Sequence, residues 1–265
     1  MTFFISFFVF VFGLCFGSFL NVCIHRIPRK ASVAFPASHC PHCQTPIKRR
    51  DLIPVLSYLL LGGKCRSCKS PISIRYSIVE FLTGAVWVVL FLRFGLTFES
   101  AVLIYLFTIL IPILFIDLDH MIIPNGLVLA GLVAGVAVFF YNLFLPFGLF
   151  SPSYWYTPLL GMVSASGFLL LVAVLGLFIY KSTAMGMGDV KLFIPIGLVL
   201  GWKLTLVALF LSTLLGAAAG IVFMIAKRLS RKSQMPFGPY IIAGTFIAVL
   251  WGNQLIDWYL HLSGL

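Results

Sequence analysis

Acidic residues are almost missing from this chain. Its 265 residues hold only 7 Asp and Glu against 18 Lys and Arg, and charged residues of both signs make up 9%. Soluble domains carry roughly 25% charged and about 45–50% apolar residues. A hydrophobic share of 61% therefore excludes an ordinary soluble fold and points to many membrane crossings. The first apolar run, residues 2–24, lacks a positive leading segment and a small-x-small cleavage site. It reads as a retained span with its N-terminus outside rather than a cleaved signal.

What the chain does have is hydrophobic length. Apolar runs fall near 2–24, 76–95, 97–116, 122–145, 157–180, 190–201, 203–226 and 237–260. A helical crossing takes about 20 residues, with about 17 the usual minimum, so 190–201 is too short alone. It works as one arm of a hairpin that turns near Gly201, Trp202 and Lys203. The expected fold is all-α: a polytopic membrane helix bundle of about eight transmembrane helices. The 27 Phe and 23 Gly suit helices that face lipid and approach one another closely.

With eight spans the loops alternate, and the basic residues separate. Arg26, Arg29, Lys30, Lys48, Arg49, Arg50, Lys64, Arg66, Lys69, Arg75, Lys181, Lys191, Lys227, Arg228, Arg231 and Lys232 share one side, leaving Arg93 and Lys203 on the other. The positive-inside rule makes the crowded side cytoplasmic and places both termini outside. That asymmetry accounts for the net charge of +11, so no nucleic-acid partner is needed. The expected partner surface is the lipid bilayer.

Residues 25–76 form the one sizeable polar insertion between a first span (1–24) and a membrane core (77–265). It carries Cys40-x-x-Cys43 and Cys65-x-x-Cys68. Two such pairs complete a tetrahedral four-thiolate site of the zinc type, closed and therefore structural. Disulfides are not expected on a reducing cytoplasmic side. A metal would fold a loop too small to bury a core of its own.

Among the few acids, Asp117 and Asp119 close the third span in "LFIDLDHMIIPNG", and Asp189 opens the sixth in "AMGMGDVKL". The topology puts all three at the same membrane face. A carboxylate near lipid is expensive unless it is paired or functional. Gly186 and Gly188 strip side chains from the approach to Asp189, so another segment can come close. Two carboxyls facing each other away from bulk water would share a proton, with one activating water and the other protonating a carbonyl oxygen. Because Asp117 closes a helix and Asp189 opens one, the helix dipoles make Asp117 the protonated partner and Asp189 the ionised one. Capping acids solvated in loops remain the simpler alternative.

The motifs "GSFLNVCIHRIPR", "CPHC…CRSCKSPISIRYSIVE", "IDLDHMIIPN", "AMGMGDVKL" and "MPFGPYIIAG" occur in this order. Together they make the chain resemble the type IV prepilin peptidases, membrane aspartic proteases of the GxGD kind. The resemblance implies catalytic Asp117 and Asp189, with Gly186, Gly188, Asp119 and Lys191 in supporting positions. It implies cleavage of the basic leader of prepilins or pseudopilins after a Gly, at the cytoplasmic face of a bacterial plasma membrane. It also implies N-methylation of the new amino terminus with S-adenosylmethionine, for which Glu80 is a candidate; the competing reading of Glu80 is an acid snorkelling to Arg75 or Lys69. The chain departs from the family pattern at Leu52 and Ser77, and no Gly-rich nucleotide loop supports methyl transfer independently.

Three other readings compete. A proton-coupled transporter would relay protons through the membrane acids, yet no internal repeat is evident. A metal-dependent lipid-linked transferase would use Asp117 and Asp119 as metal ligands, yet further acids or a basic phosphate pocket are lacking. A scaffold organised by the zinc loop leaves Gly186–Asp189 unexplained.

Overall fold

The computed structural model describes residues 2–150, 154–180, 186–226 and 235–263. Lys181 and the basic cluster 227–232, assigned above to the cytoplasmic side, lie outside the described residues. Within them the chain is helical, with eight α-helices and only isolated bridges in place of strands. It divides into two compact units, Met1–Ser100 and Ala101–Leu265.

In the first unit, α1 (Thr2–Arg26) packs antiparallel on α3 (Arg75–Phe94). The seam is set by glycine. A Cβ on Gly13 would meet Gly84 Cα at 2.7 Å, and one on Gly17 would meet Glu80 Cα at 2.6 Å. Small residues four apart let two apolar helices approach backbone to backbone, the usual device where lipid removes the hydrophobic drive. Phe10 on Phe81 and Phe16 on Trp87 fill the flanks. Between the helices lies the polar segment, with a 3-10 turn at Arg49–Leu52 and the short helix α2 (Leu56–Leu60).

The second unit takes in most of α4 (Phe98–His120). Leu103, Leu106, Leu110, Ile113 and Ile116 are each at most 1% exposed, as expected of a helix apolar all round and enclosed by others. α5 (Asn125–Phe144) touches α4 where Tyr105 donates to Ala130 O, and α8 (Gly238–Ser263) touches it where Phe107 meets Phe246. α7 (Met187–Ile225) packs against α5, α6 (Thr157–Tyr180) and α8. The outward faces stay apolar, with Phe178 81% exposed, which suits lipid contact.

Seven described helices are long and apolar enough to cross a membrane, where eight apolar runs were expected. The difference lies in α7, which joins the runs 190–201 and 203–226 as one element broken at Gly201, where φ is 69° and ψ 173°. The chain reverses there. Gly131 and Gly135 of α5 meet Pro195 and Leu198 in parallel order, whereas Gly252 and Gly244 of α8 meet Leu204 and Ser212 in antiparallel order. The first arm thus runs away from Asp189 and the second returns, as the hairpin reading requires. A side chain at Gly201 would need a left-handed backbone and would meet Phe150 at 2.9 Å.

Candidate functional site

Two sites emerge, one in each unit. In the second unit α4 ends at His120; Met121 takes φ 52° and gives its N–H to Asp117 O, and Pro124 stops any continuation. That termination leaves the Asp117 side chain on the last turn, only 5% exposed. Its Oδ2 accepts the N–H of Gly238 at 2.8 Å. Gly238 opens α8 with Pro239 behind it, an arrangement suited to a helix start. A Cβ at Gly238 would stand 2.7 Å from that same oxygen.

Asp189 sits in the first turn of α7, half-buried, and is near enough to Asp117 to feel its charge. Its own N–H bonds Gly186 O at 3.1 Å. Its Oδ2 lies 3.1 Å from where a Gly186 Cβ would be. Gly188 admits Ile123, whose Cβ would lie 3.1 Å from a Gly188 Cβ, so the close approach anticipated at the Gly-x-Gly is made by the turn that follows α4. Both carboxyls therefore rest against a glycine at a helix N-terminus.

This corrects the dipole argument. Asp117 does close α4, but it also receives the first N–H of α8, so the asymmetry between a closing acid and an opening acid is not present. Asp119 is exposed. Lys191 donates to Asn125 Oδ1 at 3.3 Å, which ties the first arm of α7 to the start of α5. Gly238 was missed as a site residue, although the Gly-Pro pair at the head of "MPFGPYIIAG" signals a helix start with a free N–H.

In the first unit the four cysteines converge. The Sγ atoms of Cys40, Cys43, Cys65 and Cys68 all lie within 4.8 Å of one another, and Cys40 to Cys68 is 3.8 Å. Tetrahedral zinc with about 2.3 Å Zn–S bonds requires sulfur atoms about 3.8 Å apart, so the donors fit such a metal. The two halves are local copies. Cys40 N–H bonds Thr45 O and Gln44 N–H bonds Cys40 O; Cys65 N–H bonds Ser70 O and Lys69 N–H bonds Cys65 O. Gln44 and Lys69 take φ of 56° and 60°. The underlying repeat, C-x-x-C-x-[TS]-P at 40–46 and 65–71, is visible in the sequence. Backbone N–H groups of Cys43 and then His42 pull the Cys40 thiol down to about 6, favouring the thiolate that a metal binds. Asp51, paired with Arg66 at 2.7 Å, is held below the usual carboxylate range by that hydrogen-bonded guanidinium.

Between the cysteine loop and the facing ends of α1 and α3 lies a cavity of about 700 Å³. Glu80 lies on its wall, 8% exposed, with Oε2 accepting Val55 N–H at 2.7 Å and the Ser18 hydroxyl as its other partner. Ser77 Oγ, on the same wall, is buried with no hydrogen-bond partner. Apart from Glu80, this wall offers an orphaned hydroxyl, basic groups and apolar surface, which fit the carboxylate, hydroxyls and ring of a cofactor such as S-adenosylmethionine.

The fold and these sites define a helical membrane protein with two acids at helix ends in one unit and a cluster of four cysteines in the other. The profile of the Bacterial Peptidase A24 N-terminal domain matches residues 11–94, and that of the Type IV leader peptidase family matches residues 104–221. Three relatives, each named Prepilin leader peptidase/N-methyltransferase, cover nearly the whole chain. That of Bacillus subtilis (strain 168) is 35% identical over 96% of this chain and 98% of its own. Those of Aeromonas hydrophila and Legionella pneumophila are 34% and 33% identical, over 95% and 94% of this chain and 92% of their own. No solved structure matches. The chain belongs to the type IV leader peptidase family.

Proposed function

We propose that this protein is a prepilin peptidase that also N-methylates its product, and that Asp117 and Asp189 perform the cleavage. One observation carries the peptidase reading: of seven acids, the fold gathers two from distant segments, each seated on a glycine at a helix start. Two carboxyls so placed hold one proton between them more readily than none. The ionised member takes a proton from water as it attacks the scissile carbonyl; the protonated member gives its proton to the carbonyl oxygen. Gly238 N–H fixes one oxygen of Asp117, which leaves the other for that chemistry.

The substrates are prepilins or pseudopilins, cut after the Gly that ends a basic leader. The catalytic face is cytoplasmic, with both termini outside, as the basic residues of the loops require. Zinc is the metal that four thiolates at these spacings select; it holds the loop of the first unit and does not join the cleavage. For methyl transfer, bound S-adenosylmethionine supplies an electrophilic methyl group, and Glu80 is the candidate residue.

Cleavage of a synthetic prepilin by the full-length protein in detergent tests the peptidase. Asp117→Asn and Asp189→Asn should each lower kcat by about 10²–10⁴-fold, the range for positioned acid–base groups. Asp119→Asn, an exposed position, should stay within about threefold. Cleavage that survives at both Asp117→Asn and Asp189→Asn returns these acids to structure, proton relay or metal binding.

A further inference from the structure

The methyl-transfer half of the function above leaves open which group handles the amine, and the present inference rests on that half. Glu80 is a buried carboxylate on the wall of a large cavity, and among the described residues no Lys or Arg forms an ion pair with it. The other acid on that wall, Asp51, is already occupied by Arg66, which reaches it with two nitrogens at 2.7–3.1 Å. A carboxylate withdrawn from water needs a cation or a proton. Glu80 is held in place by Val55 N–H through Oε2, and Gly17 presses α1 onto its backbone. The group is preorganised, and among the described residues none supplies its counter-ion.

We infer that this cavity receives the free α-amino group of the cleaved substrate, with Glu80 binding its ammonium and accepting the proton it must lose. An α-amine has a pKa of about 7.7–8, so near neutrality it is mostly ammonium and carries no lone pair. On the Glu80 carboxylate it gives up one proton. The nitrogen lone pair then attacks the methyl carbon of the bound donor; the N–C bond forms, the C–S bond breaks, and sulfur keeps the electron pair as a neutral thioether. The proton leaves Glu80 through the open side of the cavity. Arg29 and Lys48 line the same cavity. They repel an ammonium and suit the carboxylate of the donor, which gives the two ligands different ends.

The remaining charged or titratable groups on this wall, apart from the metal-holding cysteines, are His25, Arg26, His39, His42 and the Asp51–Arg66 pair, with Tyr58 and Tyr76. They are unchanged in a Glu80 variant, so a ratio of rates isolates Glu80.

The test uses the metal-loaded full chain in detergent and a peptide that already carries the free amino terminus, so that methyl transfer is read without cleavage. Glu80→Gln should bind labelled S-adenosylmethionine within about threefold of the unchanged protein in equilibrium dialysis. Its methyl transfer should be about 30-fold slower near pH 6 and approach parity near pH 9, where the amine is neutral in water. Glu80→Asp should recover part of the loss. A deficit that is the same at every pH, or loss of donor binding in Glu80→Gln, assigns the carboxylate to the donor or to structure and overturns the inference. A second measurement needs no variant. With S-adenosylhomocysteine bound, the free-amine peptide should bind about tenfold more tightly than its N-acetylated form, the effect of one charge-assisted contact; equal binding overturns the inference. Intact leader cleavage alongside such a result would leave the peptidase reading standing.

Discussion

Asp117 Oδ2 and Gly238 N–H are joined by a 2.8 Å hydrogen bond across 121 residues of chain. One partner closes a helix and the other opens one. The bond aims the carboxyl and fastens α4 to α8, and it depends on the absence of a side chain at residue 238.

Gly238→Ala places a Cβ 2.7 Å from Asp117 Oδ2, so the carboxyl must move. A displacement of about 1 Å at a reacting group costs on the order of 10²-fold. The expected outcome is a kcat for leader cleavage lower by that amount with KM little changed. Equal kcat in the two proteins would show that the bond does not position the acid.

Cleavage should show two pH limbs, because the reaction needs one proton on the pair and neither zero nor two. Both limbs should vanish together when either acid becomes Asn, leaving a low rate with a shallow profile. A sharp limb that persists in both variants would assign it to another group, and the profile of kcat against pH measures this directly.

Chelation separates the two units. Loss of the metal removes what holds Cys40, Cys43, Cys65 and Cys68 together, and their loop has little core of its own. Trypsin should then cut within residues 27–74, while leader cleavage persists over the first minutes. Immediate loss of cleavage would favour the metal-dependent transferase chemistry considered from the sequence.

The α6–α7 seam should tolerate no side chain. A Cβ on Gly161 would overlap Gly197 O and stand 2.8 Å from Gly201 Cα. Gly161→Ala should destabilise the protein by about 1–3 kcal/mol, the usual range for overpacking, read as a lower thermal midpoint in detergent. An unchanged midpoint would mean that the seam yields without strain.

Much of the architecture was legible because a membrane makes sequence literal. Lipid demands long apolar runs and penalises stray charge, so spans, the turn at Gly201 and the acids at Asp117 and Asp189 stand out against an apolar background. The cysteine pairs were legible for a similar reason: a metal site needs its ligands at fixed short spacings. The partners of these groups were not legible. Gly238, Val55 and Ser18 contribute a backbone N–H or a common hydroxyl, and such donors leave no mark in residue type.

The sequence by itself determined an all-helical membrane protein, a four-thiolate loop and a short list of acids, since each follows from local composition and spacing. Only the tertiary structure decided that Asp117 and Asp189 each rest on a glycine at a helix start. It also decided that Glu80 is buried on a cavity wall rather than exposed at a helix end. Those facts depend on where distant helices begin relative to one another, and that is fixed by glycine-lined helix packing rather than by any residue's neighbours in the chain.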